Sequence, residues 1–168
     1  GGAGPVCPVS RVRPVRRPAD DPGWRFYPET VIDLWRRRGG PRVRLDCRAP
    51  VDPATVAALA GIGLRGPFVV ITACDPGGAE LGRAVNRRRT ARLARRLRTA
   101  GVRPVRADGG SPDRTHVEPG WAADLAREEA RRIAAEAGQS AIFRFDGRAM
   151  WIEPVLMDAA PIRLPPAR

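Results

Sequence analysis

His116 and Glu118 form the residue pair best suited to proton transfer in this chain. His116 is the single histidine, and Glu118 follows two positions later. On a strand, side chains at i and i+2 share a face, about 6.6–7 Å apart along the chain, so one ligand can contact both. Because imidazole titrates near neutral pH, the pair is a candidate for general acid–base catalysis. The alternatives are a polar strand end in which His116 caps a turn, and a hard metal ion held by Glu118 and Asp75.

Thr72, Asp75 and Gln139 are candidate ligand-binding residues beside apolar segments, Thr72 and Asp75 at the end of residues 68–74 and Gln139 just before residues 141–143. Residues 68–74 form a continuous run rich in β-branched side chains, which predicts a buried strand ending close to Thr72 and Asp75. Two glycines at 77–78 precede a predicted helix, where backbone N–H groups can bind an anion. Asp75 is alternatively an ordinary turn residue, and Gln139 alternatively satisfies the last carbonyls of a helix.

Arginine is distributed unevenly along the chain. All 30 basic residues are arginines, against 18 acidic residues, and the net charge is +12. A GC-rich codon bias raises arginine everywhere, yet residues 80–98 carry eight arginines and one acid, whereas residues 124–136 carry three arginines and four acids. The first stretch predicts either a solvated face opposite acids elsewhere or a site for the phosphate of a nucleotide or nucleic acid. Its candidate ligand-binding residues are Asn86, Arg87, Arg88 and Arg92.

The cysteine and hydropathy patterns argue against a zinc-binding protein and against a membrane-spanning one. Three widely spaced cysteines and a single histidine, without a C-x-x-C motif, argue against a zinc site and suit a reducing cytoplasm, which is the expected location. A Mg²⁺ or Mn²⁺ site made of carboxylates stays open, and the sequence specifies no cofactor. No run approaches the ~18 apolar residues of a membrane span, so no membrane partner is expected.

The hydrophobic periodicity predicts an α+β fold. We expect a mostly antiparallel sheet with two main helices packed on one face, and irregular Pro-rich ends. Residues 107–114 are expected to form a loop, Pro104 to mark an edge strand, and Pro119 with Gly120 to end a strand. The predicted helices are 29–38, 53–59, 81–100 and 123–137, and the predicted strands are 42–47, 68–74, 102–106, 115–118, 141–145 and 149–153.

Proline spacing predicts three parts of the chain. Residues 1–41 are expected to be a Pro/Arg-rich N-terminal arm with a short helix, residues 42–154 a single α+β core domain, and residues 155–168 a Pro-rich C-terminal tail. The basic segment 11–18 is either a solvated arm or a segment that follows phosphates. The Pro-rich ends are also candidate docking segments for a protein partner.

Five short motifs occur in an order that resembles the bacterial family known as domain of unknown function 3293. They are Ile71–Pro76, Asn86 with the arginines that follow it, Leu93 with Leu97, His116–Glu118, and Gly138–Phe143. The family pattern is ITAxNP, an asparagine opening the next helix, HxExS and GQxAIF, and the resemblance covers about residues 68–153. It implies a compact bacterial domain and no particular activity. The polar residues that match the pattern are Thr72, Asn86, His116, Glu118 and Gln139. Asp75 stands where the family tends to have asparagine, and Pro119 and Gly120 stand where a residue and then serine are expected.

Two functional hypotheses follow. The first is an enzyme-like or ligand-binding domain for an anionic, nucleotide-like small molecule. In it, Arg87, Arg88 or Arg92 hold charge, Asn86 and Gln139 orient polar groups, and His116 with Glu118 moves protons. The alternative is a non-catalytic RNA- or DNA-binding accessory protein that uses the basic helix and the N-terminal arm.

Overall fold

A computed structural model describes residues 15–167, in which eight strands form one antiparallel sheet. Residues 1–14 of the predicted arm, and Arg168, lie outside the described residues. The strand order across the sheet is β2-β1-β4-β5-β3-β6-β7-β8. The strands are β1 (Val31–Trp35), β2 (Arg42–Asp46), β3 (Phe68–Thr72), β4 (Val105–Gly110), β5 (Val117–Ala123), β6 (Ala141–Phe145), β7 (Met150–Pro154) and β8 (Ile162–Leu164). The helices are α1 (Pro53–Gly61), α2 (Arg83–Thr99) and α3 (Arg127–Glu136).

Strand β3 separates two hydrophobic clusters because its side chains alternate between the faces of the sheet. Phe68 and Val70 pack in one cluster with α1 and the strands β2, β1 and β7. Val69 and Ile71 pack in the other cluster with the apolar sides of α2 and α3. A β3 side chain with an even number therefore faces the α1 side, and one with an odd number faces α2 and α3.

Helix α1 begins at residues whose chemistry favours that position. Asp52 caps α1, since its Oδ1 accepts a hydrogen bond from the Thr55 amide at 2.6 Å, and Pro53 occupies the first helical turn.

The predicted α+β class with an antiparallel sheet is confirmed. The expected arrangement of two helices on one face is not confirmed, because α1 is a third helix and packs in the first cluster.

The helix predicted over residues 29–38 is wrong, because this segment contains strand β1. β1 lies between β2 and β4, and four of its five residues are buried. A strand buried on both faces is apolar at nearly every position, so its pattern also fits a helical spacing. A 3₁₀ segment, Trp24–Glu29, comes just before it.

The predictions around residues 102–120 also need correction. The first four residues of the expected loop at 107–114 are the last four residues of β4, which lies between β1 and β5 and is not an edge strand. Pro119 and Gly120 do not end a strand, since β5 runs through both. Pairing of β5 with β3 ends at Gly120, opposite Thr72, so Pro119 is the first residue beyond that register. At the other end of the chain, β8 pairs with β7 within the expected C-terminal tail.

Candidate functional site

A cavity of about 560 Å³ opens where β3 ends and β5 continues. Gln139 lines the cavity beside the end of β3, where its amide contacts Thr72 and Cys74. We call this space the His–Glu cavity; it lies on the α1 side of the sheet. Its polar lining includes Thr72, Asp75, His116, Glu118 and Gln139.

A chain of hydrogen bonds joins four of these residues. His116 Nε2 lies 3.2 Å from Glu118 Oε1, and the Thr72 hydroxyl lies 3.2 Å from Glu118 Oε2. The same hydroxyl lies 3.0 Å from Gln139 Oε1, while Gln139 Nε2 donates to the Cys74 carbonyl at 2.8 Å. Since the Gln139 amide donates to a carbonyl, its oxygen must point towards Thr72. The far end of the chain is thus fixed, and the His116 end, 67% exposed, faces solvent.

Burial raises the pKa of three side chains that line the cavity, those of Glu118, Cys74 and Tyr27. The Glu118 side chain is 30% exposed, and its partial burial raises its pKa, against the opposing effect of the hydrogen bond from His116. Burial raises the pKa of the Cys74 thiol to about 11, so this cysteine is protonated and a poor nucleophile at neutral pH. Burial also raises the pKa of Tyr27, which keeps its phenol available as a hydrogen-bond donor.

Asp75 and Asn86 fasten the loop between β3 and α2. Asp75 has φ of 41°, a left-handed conformation that Asp and Asn adopt more readily than other non-glycine residues. Asn86 Nδ2 donates to Asp75 Oδ1 at 3.0 Å and to the Leu81 carbonyl at 3.1 Å, and the Asp75 amide donates back to Asn86 Oδ1. Asn86 therefore acts on the cavity through Asp75. The left-handed backbone also explains why aspartate and asparagine both suit position 75.

Gly120 is required by the strands on either side of β5. A Cβ at this position would lie 2.8 Å from the Ile71 carbonyl oxygen and 2.9 Å from that of Ala107. Both atoms belong to the backbone of neighbouring strands, so neither can move away cheaply. A serine at position 120 is therefore incompatible with this packing.

The predicted arginine ligands lie elsewhere. Arg88 and Arg92 line a second cavity of about 420 Å³ between α2 and α3, together with Arg95, Arg96 and Glu136. We call it the arginine groove. Ala73 of its lining packs with the odd-numbered residues of β3, so the groove and the His–Glu cavity lie on opposite faces of the sheet. Arg87 is exposed on α2 and lines neither cavity.

The structure thus brings most of the predicted polar site residues together at one cavity and places the predicted arginine ligands away from it. Four of the five residues that match the family pattern line the His–Glu cavity, and Asn86 supports its wall from behind. Phe26, Tyr27 and Phe143 form an aromatic wall of the cavity, and none of them was among the predicted site residues. Tyr27 and Phe143 stack with centroids 5.9 Å apart, and Phe26 is 52% exposed. Only the cluster of aromatic residues near position 26 hinted at this wall, since Phe143 is distant in sequence.

Within residues 15–167, no group of three or more His, Cys, Asp or Glu side chains is arranged to hold a metal ion. None of the helices in this part of the chain has the length and apolar character needed to cross a bilayer.

Comparison with known proteins gives one match. Residues 71–142 match the model of the family described as "Protein of unknown function (DUF3293)", which confirms the resemblance seen in the motifs. The match begins at the end of β3 and stops within β6, so it contains Thr72, Asn86, His116, Glu118 and Gln139. No match was found among curated proteins or solved structures.

Proposed function

We propose that this protein is an enzyme-like, ligand-binding domain in which His116 and Glu118 exchange a proton with a small molecule in the His–Glu cavity. The observation that carries the proposal is the continuous chain from His116 to Gln139, formed by side chains from β3, β5 and the segment before β6. Side chains that come from distant parts of a sequence into one concave, hydrogen-bonded cluster are characteristic of a site.

The distances along the chain support a separate role for each of its members. Thr72 has one hydroxyl hydrogen and two acceptors within reach, Glu118 Oε2 and Gln139 Oε1. When Glu118 is protonated on Oε2, it donates to Thr72, and Thr72 donates to Gln139. When Glu118 is ionised, Thr72 can donate to it instead. The chain thus accommodates both states of the carboxyl group, and Glu118 orients the imidazole that faces the ligand.

The charges that line the cavity favour a neutral or cationic ligand. Carboxyl groups of Asp21, Glu29, Asp75, Glu80 and Glu118 line it, against the single imidazole of His116. The arginines expected to hold an anion line the other face of the sheet. The aromatic wall suits a flat ring. We therefore propose a heterocycle resembling a nucleobase or nucleoside, with the phosphate of a nucleotide disfavoured.

The test uses NMR of the His116 ring during titration with adenosine, cytidine, their 5′-monophosphates and a heterocyclic amine. We expect the neutral and cationic compounds to shift the ring signals, and the monophosphates to bind at least about tenfold more weakly, which corresponds to ~1.4 kcal/mol. His116→Ala should weaken binding, followed by ligand-detected NMR, by a similar factor. Thr115→Ala, at an exposed neighbouring position, should leave it unchanged.

Two results would contradict this proposal. The absence of any shift across the panel would remove the nucleoside-like ligand. Equal affinities of the wild type and His116→Ala for every compound that binds would remove the proton-transfer role.

A further inference from the structure

The solvent-facing side of α2 carries a set of arginines that the His–Glu cavity does not use. α2 contains eight arginines and no acidic residue in 17 positions. Its apolar side packs on the sheet through Thr90, Leu93, Ala94 and Leu97. We call the exposed set the arginine face: Arg83, Arg87, Arg88, Arg92, Arg95 and Arg98.

The arginine face has no internal charge partner. Within residues 15–167, none of its six side chains forms an ion pair or a side-chain hydrogen bond. Like charges spaced three or four residues apart on a helix destabilise it by a few tenths of a kcal/mol per pair. The structure therefore pairs none of these six guanidinium groups with an acid inside the described part of the chain.

Neighbouring arginines show that the fold pairs guanidinium groups where they are structural. Arg96 contacts Glu136 at 3.0 Å and Glu129 at 3.6 Å, across the boundary between α2 and α3. Arg89 donates to the Ala73 and Ala137 carbonyls and so ties α2 to the end of β3 and the end of α3. Codon bias adds arginines without regard to such contacts, so the clustering of unpaired ones on a single exposed face requires another cause.

The acids beside the arginine groove do not neutralise the face. Glu136 and Glu129 are already engaged, both by Arg96 and by Arg132 of α3. Arg88, Arg92 and Arg95 therefore border a concave groove of about 420 Å³ whose lining carboxylate, Glu136, is already paired with Arg96 and Arg132. An anion entering the groove meets an uncompensated positive field.

The length of the arginine face indicates the class of anion. Arg83 and Arg98 are fifteen residues apart, which corresponds to about 22 Å along the helix axis. This distance exceeds the reach of a single phosphate group and matches a chain of them. Arginine forms paired hydrogen bonds with phosphate oxygens, and its planar guanidinium suits this geometry better than an ammonium group.

We propose that the arginine face binds the phosphate backbone of a nucleic acid, without reading its sequence. The contact is electrostatic and concerns backbone phosphates, so affinity falls steeply as salt rises, with a slope of about 0.9 per phosphate contacted on duplex DNA. The site is separate from the His–Glu cavity, since the two lie on opposite faces of the sheet.

The test measures fluorescence anisotropy of a labelled mixed-sequence oligonucleotide, both as single-stranded RNA and as duplex DNA, over a range of salt concentrations. The triple variant Arg88→Ala, Arg92→Ala, Arg95→Ala should weaken binding at least about tenfold and lower the salt slope by about 2–3. The matching triple substitution to lysine keeps the charge and should retain most of the affinity and slope. His116→Ala should leave both unchanged.

The matched control removes the same charge elsewhere. Arg38, Arg65 and Arg148 are exposed and lie in turns or loops outside α2, and their triple substitution by alanine should reduce affinity far less. Equal losses in the two alanine triples would overturn the assignment to α2. It would also be overturned if the wild type failed to bind either oligonucleotide at low salt. The assignment would be overturned as well if Arg88, Arg92 and Arg95 were needed for binding to phosphatidylserine vesicles and oligonucleotide binding did not depend on them.

Discussion

The His–Glu cavity and the arginine groove use the two faces of strand β3 in opposite ways. On one face, Thr72 leads into a chain of hydrogen bonds in which neighbouring side chains satisfy one another. On the other face, Ala73 lies in the floor of a groove bordered by Arg88 and Arg92, whose side chains have no partner within residues 15–167. A satisfied network positions groups for one defined ligand, whereas uncompensated charge attracts many anions with little geometric selection.

This difference separates two groups of residues that the leading sequence hypothesis had placed around one ligand. Thr72, Asp75 and Asn86 lie within the same short stretch of sequence as Arg87, Arg88 and Arg92, so all of them look like parts of a single anion site. The period of two in β3 sends Thr72 and Ala73 to opposite faces, and each element that follows packs on only one of them. Variants that affect one face and spare the other therefore test the division directly.

The largest difference should come from two adjacent glycines at the end of β4. A Cβ at Gly110 would collide with the His116 carbonyl oxygen and lie 3.1 Å from Val117 Cα, both backbone atoms at the point where the paired strand β5 begins. A Cβ at Gly109 would meet only the Thr30 methyl group, at 3.7 Å. We expect Gly110→Ala to lower the free energy of unfolding by about 1–3 kcal/mol and to displace His116, because the strands must separate to admit the methyl group.

Gly109→Ala is the matched control, with an expected change within about 0.5 kcal/mol. Urea unfolding measures both variants, and the NMR signals of the His116 ring report its displacement. Oligonucleotide binding to folded Gly110→Ala should remain normal, since the arginine face contacts neither glycine. Equal stability of the two variants would show that the β4–β5 hairpin is looser than the structure indicates.

Substitutions at two adjacent residues of α2 should have smaller effects, one on stability and the other on nucleic-acid binding. Asn86 makes three hydrogen bonds that hold the loop from Asp75 to Leu81, whereas Arg87 is exposed and makes none within the described residues. We expect Asn86→Ala to cost about 1–2 kcal/mol of stability and to leave the salt slope of nucleic-acid binding unchanged. Arg87→Ala should keep stability within about 0.5 kcal/mol and lower that slope by about 1.

Thermal unfolding and salt-dependent anisotropy together check this pair. If Arg87→Ala destabilised the protein as much as Asn86→Ala, the arginine would have a structural partner, and the proposed division of α2 would fail. A lower salt slope in Asn86→Ala would instead connect the loop of the His–Glu cavity to nucleic-acid binding.

Local patterns predicted much of the fold. The capping residues Asp52 and Pro53, the buried run of β3 and the Asp146–Gly147 turn between β6 and β7 depend on neighbours in the sequence, and the structure contains the elements they predict. Strand β1 was missed because burial on both faces removes the alternation that marks a strand. The extension of β4 into glycines, and of β5 through Pro119, depends on pairing with strands distant in sequence.

The candidate site was predictable to the same extent. Thr72, His116, Glu118 and Gln139 stand out by residue type and position, and the structure brings these four together. Their separation from Arg88 and Arg92 depends on which face of the sheet α2 covers, and helical periodicity alone does not reveal this. The aromatic wall was missed for a related reason, since the fold places the Trp24–Glu29 segment against Phe143 of β6.

The smallest predicted effect has opposite signs on the two faces. Burial raises the pKa of Glu118 above its ordinary value of 4.5, so between those two values the folded protein binds this proton more tightly than the unfolded chain. Stability therefore falls as pH rises through that window, and the loss remains at neutral pH. Glu118→Gln removes this loss of stability and should therefore raise the melting temperature at pH 7. Each kcal/mol of unfolding free energy regained corresponds to a rise of about 2–4 °C. The difference should vanish in acid, below both pKa values.

Glu129 on α3 is the matched comparison. The hydrogen bond from Arg132 lowers the pKa of Glu129, so this carboxylate stabilises the fold above its ordinary pKa, and the contribution disappears as pH falls through the lowered value. Glu129→Gln should therefore lower the melting temperature slightly at pH 7, and added salt should shrink the effect because the pair is exposed. Melting curves of both variants from acid to neutral pH measure the two signs. If Glu118→Gln were less stable than the wild type at neutral pH, the Glu118 carboxylate would stabilise the fold. A structural role for Glu118 would then replace proton transfer.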